Sequence, residues 1–346
     1  MCLLTARRRA GKIGHAARDP MAGVRRAAKG TAHTKTKHSV DYSKARTRRE
    51  ILIRQRRELW TPEQVASLAK HFRLKPGMKL LDVGCGYAYA LRTWGRYCLP
   101  GGRLVGLDRE KNLLAGAKRF CRREGLSRVV EFKAGDVYAL PFPDNEFDFT
   151  LAHVVFCHLK EPEKALDEMI RVTRPGGGVA VFDNAASGRR VSGWSSWYSP
   201  DIRQELRDGE LELRQIRGRA RLGFGDLSVG CRIPAWLEQR GMNDVGVRTN
   251  ERVYWIAPPY RSPEQQTAYH NTLEQLREKG RGSLESKTEE HKLAGGCTRR
   301  QIRAAEVRGR RIGRRFRQAV KSGAAAYAWS MPFWCIWGFK PIKKRR

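Results

Sequence analysis

The chain has 346 residues, 40% of them hydrophobic, enough for a sizeable core in one large domain with appendages or in two small domains. Its formal charge of +34 is unevenly placed: residues 1–58 hold +13 and residues 297–346 hold +14, which counts against a fold-wide nucleic-acid surface and in favour of basic ends. No apolar stretch reaches the ~18–20 residues of a membrane span, and the eight cysteines show neither a C-x-x-C pair nor metal-ligand spacing, a pattern expected of buried thiols in a reducing compartment with no metal.

In chain order, residues 1–43 are rich in Arg, Ala, Gly, Lys and Thr and have no apolar period, which predicts a disordered basic tail. An Arg-rich, acid-poor start is also the composition of an organelle transit peptide, the alternative to a cytoplasmic location. Tyr42 to Trp60 reads as a basic helix. A second helix is expected from Thr61 as N-cap, with Pro62 in the first turn and Gln64 at the capping-box position, to about His71.

Lys75-Pro76-Gly77 then turns into the apolar run Met78 to Val83, which ends abruptly in Gly84-Cys85-Gly86. That is the pattern of a buried parallel strand running into a tight turn whose backbone approaches a ligand, where a Cβ would block both the turn and the approach. Further strands are expected at Arg103–Asp108, Val129–Lys133, Phe147–Ala152 and Val179–Phe182, with helices at Tyr89–Tyr97, Lys111–Glu124 and Glu163–Thr173. Such alternation predicts an α/β fold with a doubly wound parallel sheet. Ligands of such sheets lie beyond the carboxyl ends of the strands, where Asp82, Asp108, Asp136 and Asp183 fall.

Past Asp183 the alternation stops. Ser192 to Tyr198 is an aromatic loop, Asp201–Arg219 a polar helix and Pro234–Arg240 a short helix closed by Gly241; Val245–Ile256 alternates like one bent strand. Residues 262–321 read as two or three basic helices and Pro332–Lys340 as a final strand.

Residues 78–183 resemble the class I S-adenosylmethionine (SAM)-dependent methyltransferases, in particular the small-molecule branch (type 11/25 domains) that includes the ubiquinone and menaquinone C-methyltransferases. Five features match in order: Asp82-Val83-Gly84-Cys85-Gly86; Asp108 about 20 residues later; Gly135-Asp136-Val137; Leu151-Ala152-His153 with Phe156-Cys157-His158; and Arg174-Pro175-Gly176-Gly177. Ala88 stands where the family often has a third glycine. The resemblance implies a Rossmann-like, mostly parallel seven-stranded sheet with an antiparallel C-terminal strand. It also implies SAM as cofactor: the glycine loop (Asp82, Gly84, Cys85, Gly86) at its methionine end, Asp108 with the neighbouring Arg109 at the ribose, Asp136 and Val137 at the adenine, and Ala152 and His153 near the sulfonium.

By the same resemblance the reaction is in-line transfer of a methyl group to a small-molecule acceptor, ring or lipid-like. His153, His158 and Asp183 are the candidates for any proton that must move, and Trp194, Trp197 and Tyr198 for an acceptor lid, since aromatic rings bury flat substrates at low entropic cost. The expected organisation is a methyltransferase domain over 44–260 (core 78–183), a basic helical insertion over 261–325, and a last strand with a basic tail over 326–346. Two other functions stay open at this point: an RNA methyltransferase whose basic ends bind phosphates, and a non-catalytic SAM-binding protein. Peripheral membrane contact through the basic, aromatic C-terminus is a further expectation.

Overall fold

Leu80, Leu81 and Val83 are wholly buried within a single strand, β1 (Lys79–Val83), because both faces of the sheet it belongs to are covered. The computed structural model describes residues 59–184, 193–250, 253–277, 288–330 and 333–342. The expectations for the tail 1–43 and for most of the helix Tyr42–Trp60 lie outside these residues.

After β1 come α2 (Tyr89–Trp94), β2 (Arg103–Asp108), α3 (Lys111–Arg123), β3 (Val130–Ala134), β4 (Phe147–His153), α4 (Pro162–Val172) and β5 (Thr173–Asn184). Before β1 lies α1 (Pro62–His71), whose start is fixed by the expected capping box between Thr61 and Gln64. With β7 (Asn243–Thr249) and β10 (Phe333–Phe339), the strands form a seven-stranded sheet in the order β3-β2-β1-β4-β5-β10-β7. The pairs from β3 to β5 are parallel, and β10 runs antiparallel to both β5 and β7. This is the doubly wound sheet with one reversed C-terminal strand that the sequence predicts.

The alternation of side chains along the strands sorts the core into two layers. Leu80, Leu104, Phe149, Phe182 and Trp337 face α1 and α2 with Phe72 and Trp94; Leu81, Val105, Ala152, Val181 and Ile336 face α4 and α6 (Ile233–Gln239) with Met169 and Leu237. Each of the buried Leu, Val, Ile, Phe and Met side chains contributes about 1.5–3 kcal/mol by leaving water.

The segment Val245–Ile256, expected as one bent strand, is two strands in two sheets. Asn250 exchanges hydrogen bonds with the backbone of Phe333, its amide donating to the carbonyl (3.0 Å) and its Oδ1 accepting from the amide (2.7 Å). Before that point β7 pairs with β10; beyond it β8 (Val253–Ile256) pairs with β9 (Tyr327–Ser330). A short strand, β6 (Gly193–Ser195), completes a three-stranded sheet in the order β6-β9-β8. Its inner face packs Ile256 and Tyr327 against Val320, Phe316 and Trp197 in a satellite core. The remaining helices are α5 (Ile202–Arg221), α7 (Pro263–Arg277), α8 (Thr288–Ala294) and α9 (Arg299–Lys321). No helix among the described residues is long and apolar enough to cross a membrane.

Candidate functional site

The ladder register sets Val83 beside Leu107, Asp108 beside Ala134 and Asp82 beside Leu151. The chain therefore leaves β1, β2, β3 and β4 at one level of one sheet end, and the turns that follow share that end.

In the first turn, Gly84 (φ +69°), Gly86 (φ +53°) and Ala88 (φ +57°) all take left-handed backbone conformations. A Cβ on Gly84 would also lie 2.7 Å from Cγ2 of Val155, so that position admits glycine alone on both grounds. Ala88, fully buried, holds the same conformation with a side chain attached, at a cost of roughly 1–2 kcal/mol. Having no side-chain oxygen, Ala88 cannot cap α2 through its side chain, and Oδ2 of the buried Asp82 accepts instead from the Leu91 amide at 3.1 Å. Asp82 thus shapes the loop from beneath.

Asp108 closes β2 and ties two turns together. Its Oδ2 accepts from the Gly86 amide (2.8 Å), its Oδ1 from the Glu110 amide (2.9 Å), and its carbonyl from Gly135 (3.2 Å). Arg109 projects into solvent beside Glu110. In the third turn Asp136 is exposed and accepts the Tyr138 amide at 3.0 Å, with Val137 half-buried beside it. The Tyr138 hydroxyl in turn accepts the amides of Lys160 and Glu161. Arg171 and Glu168 of α4 hold the backbone of Leu140 and Phe142, so the loop after this turn is clamped at several points.

Past β4 the two histidines part company. His153 is buried among Trp94, Phe182 and Tyr89, and its Nε2 accepts the Trp60 indole N–H at 3.1 Å. That nitrogen is engaged in the core and is not presented as a base; the neighbouring Ala152 is likewise wholly buried. His158 is half-exposed, and its Nδ1 meets Nη2 of Arg219 at 2.9 Å. Arg219, itself 1% exposed, also donates through Nη1 to the carbonyls of Cys157 (2.7 Å) and Gly225 (3.0 Å).

Asp183 does not stand past the fifth strand but inside β5, fully buried, accepting the amides of Cys157 (3.1 Å) and Asn184 (2.7 Å). Burial pushes its carboxyl up to about 6 against the pull of those hydrogen bonds, and burial likewise raises the Cys157 thiol well above its ordinary value. The aromatic segment is divided between roles. Trp194 is 63% exposed on β6, Trp197 packs on Phe316 and Tyr327, and the Tyr198 hydroxyl donates to Asp208. Two of the three rings therefore serve the satellite core and α5.

Sequence reasoning missed Arg219, Trp60 and Tyr138. Arg219 is one basic residue among many in a polar helix, and the other two act through partners 93 and 22 positions away, with no local signal.

Residues 81–181 match the family described as "Methyltransferase domain". Over these residues the chain is similar to methyltransferase domains. The chain is 34% identical over 158 residues to the Sterol 24-C-methyltransferase ERG6B of Gibberella zeae, covering 46% of this chain and 37% of that protein. It is 35% identical over 111 residues to the Demethylmenaquinone methyltransferase of Desulfitobacterium hafniense, covering 32% and 44%. Among solved structures, a SAM-dependent methyltransferase from Aquifex aeolicus aligns at 26% identity and a TM-score of 0.40, covering 56% of this chain and 85% of that one. The chain spans well under half the length of the curated relatives it matches.

Likeness to methyltransferase domains implies SAM, and the donor chemistry fits it. A carboxylate offers about four lone-pair sites; Asp108, 8% exposed, spends two on amides, which leaves two for a pair of adjacent hydroxyls. In the neighbouring turn Gly84 and Gly86 hold left-handed conformations that glycine adopts without strain.

Proposed function

We propose that the protein transfers a methyl group from SAM to a small, ring- or lipid-like acceptor. The observation that carries this is Asp108: its carboxylate joins the glycine turn to the end of β2, while its backbone carbonyl accepts from the start of the third turn, inside the segment that matches the methyltransferase family. The sterol and menaquinone methyltransferases among the relatives support an apolar acceptor.

SAM, when bound, supplies a methyl already activated on a sulfonium. The work left to the chain is to bind, orient and exclude water. In this reading Gly84, Cys85 and Gly86 hold the amino-acid end, with Asp82 fixing their turn through α2. Asp108, with Arg109 beside it, holds the ribose. Asp136 and Val137 hold the adenine, and Ala152 and His153 form the buried wall below. His158, kept by Arg219 with Nδ1 as acceptor, presents Nε2–H as a donor to the acceptor molecule. Asp183 is the buried carboxyl beside it for a proton that must be held, and Trp194 is the exposed ring of the proposed acceptor surface. The residues fall in one domain over 44–260, with 261–325 inserted before the last strand.

The test is transfer of radiolabelled methyl from SAM to a sterol, a demethylated quinol and a structured RNA, offered separately to the full chain. Label in either lipid supports the reading. Label in RNA alone overturns it.

A further inference from the structure

Helix α9 is 23 residues long and holds nine arginines and one lysine against one glutamate, Glu306. Its apolar side is already occupied. Ile302 and Val320 are buried, Phe316 lies on Trp197, and the Tyr269 hydroxyl donates to the Val320 carbonyl. At 100° per residue, Arg303, Val307, Arg310, Arg314, Arg317 and Lys321 form one line about 100° round the helix from Ile302 and Val320, spaced by three and four positions, and every one of them is exposed. Arg299, Arg300 and Arg311 flank that line and are exposed as well. Toward its end Arg314, Arg317 and Lys321 line one open hollow with Gln318 and Ser322. At 1.5 Å per residue the row from Arg303 to Lys321 runs about 27 Å.

A helix that binds a bilayer lays its apolar face into the lipid. Here that face is spent on the protein's own small sheet, and Val307 is the one apolar side chain in the outward line. What remains is a straight row of guanidinium groups, the side chain best suited to forked contacts with phosphate oxygens. Successive members Arg314, Arg317 and Lys321 rise about 4.5–6 Å along the axis, a spacing that long side chains can adjust to consecutive phosphates, which follow on each strand at every ~3.4 Å of duplex axis.

We propose that the outer face of α9 is a docking surface for a nucleic-acid backbone, separate from the methyl-transfer site and independent of what that site methylates. Contact with phosphates alone makes the binding indifferent to base sequence and steeply dependent on salt.

The experiment measures binding of the full chain to a fluorescent 20-base-pair duplex, by anisotropy, from about 50 to 300 mM salt, beside the triple variant Arg314→Gln, Arg317→Gln, Lys321→Gln. Three lost phosphate contacts flatten the slope of log affinity against log salt by about 2.7, at roughly 0.9 per contact. The rest of the chain, the basic N-terminal end included, is common to both proteins, so the difference in slope reports α9. The exposed side chains leave the fold intact, which an unchanged circular dichroism spectrum and melting temperature check. Equal slopes for the two proteins overturn the proposal, as does binding to anionic phospholipid vesicles with none to the duplex.

Discussion

Nη2 of Arg219 lies 2.9 Å from Nδ1 of His158, a residue 61 positions earlier in the chain. A guanidinium only donates, so Nδ1 is the acceptor and the neutral ring carries its proton on Nε2. The helix that follows β6 thereby sets the tautomer of a side chain in the segment after β4. A nitrogen-15 correlation spectrum of the histidines is expected to show His158 as the Nε2–H form. In Arg219→Met the two tautomers redistribute, and the buried carbonyls of Cys157 and Gly225 lose their donor, costing about 1–3 kcal/mol each in chemical denaturation. An Nδ1–H ring in the unaltered protein contradicts the assignment.

Asp183 gives stability a pH dependence of known sign. Its folded carboxyl titrates at about 6 against an ordinary 3.8, so the folded state holds the proton more tightly than the unfolded one. Its contribution is fully present below about 4 and is lost as pH rises through about 6, a fall on the order of 3 kcal/mol for two units. Urea denaturation at several pH values is expected to show this decline superposed on the other titrations. Asp183→Asn removes the decline, whatever its absolute stability; an identical pH profile for the two proteins rejects the assignment.

The glycine turn makes opposite predictions at its two ends. Ala88→Gly relieves a left-handed alanine and is expected to raise the unfolding free energy by up to about 1 kcal/mol, the strain relieved less the lost methyl contact. Gly84→Ala adds a methyl 2.7 Å from Val155 at positive φ and is expected to cost about 2–4 kcal/mol. Val155→Ala in the second background restores the steric part only. Thermal unfolding of the four proteins reads all of these, and a stabilised Gly84→Ala contradicts the turn geometry.

What the sequence made legible follows from how local each signal is. Met78 to Asp108 and Phe147 to Phe182 declared their strands by apolar runs ending in glycine or aspartate, and Thr61 declared its cap by the glutamine three residues on. The small sheet was hidden. Val245–Ile256 read as one strand because period-two alternation continues across the bend, and only Pro332–Lys340 read as a strand at the other end, so β9 went unseen; what divides the two sheets is the pairing of Asn250 with Phe333, 83 positions away. The carboxylates at strand ends were visible for the same local reason as the strands. What His153 and His158 do was not, since Trp60 and Arg219 reach them from elsewhere in the chain. Of the aromatic loop, a run of rings in sequence does not say which ring meets a core, and Trp197 meets one.

The direct test of the account is calorimetric titration of SAM into the full chain and into Asp108→Asn, with ligand-free melting temperatures measured alongside. The unaltered protein is expected to bind one SAM, and the variant to lose roughly 10- to 100-fold in affinity, the equivalent of about 1.5–3 kcal/mol for hydrogen bonds to a charged group; asparagine can accept only one of the Gly86 and Glu110 amides, so a lowered ligand-free melting temperature is expected as well and is read separately. Equal affinity in the two proteins, or no binding by the unaltered chain, would contradict the assignment of the strand ends as the cofactor site.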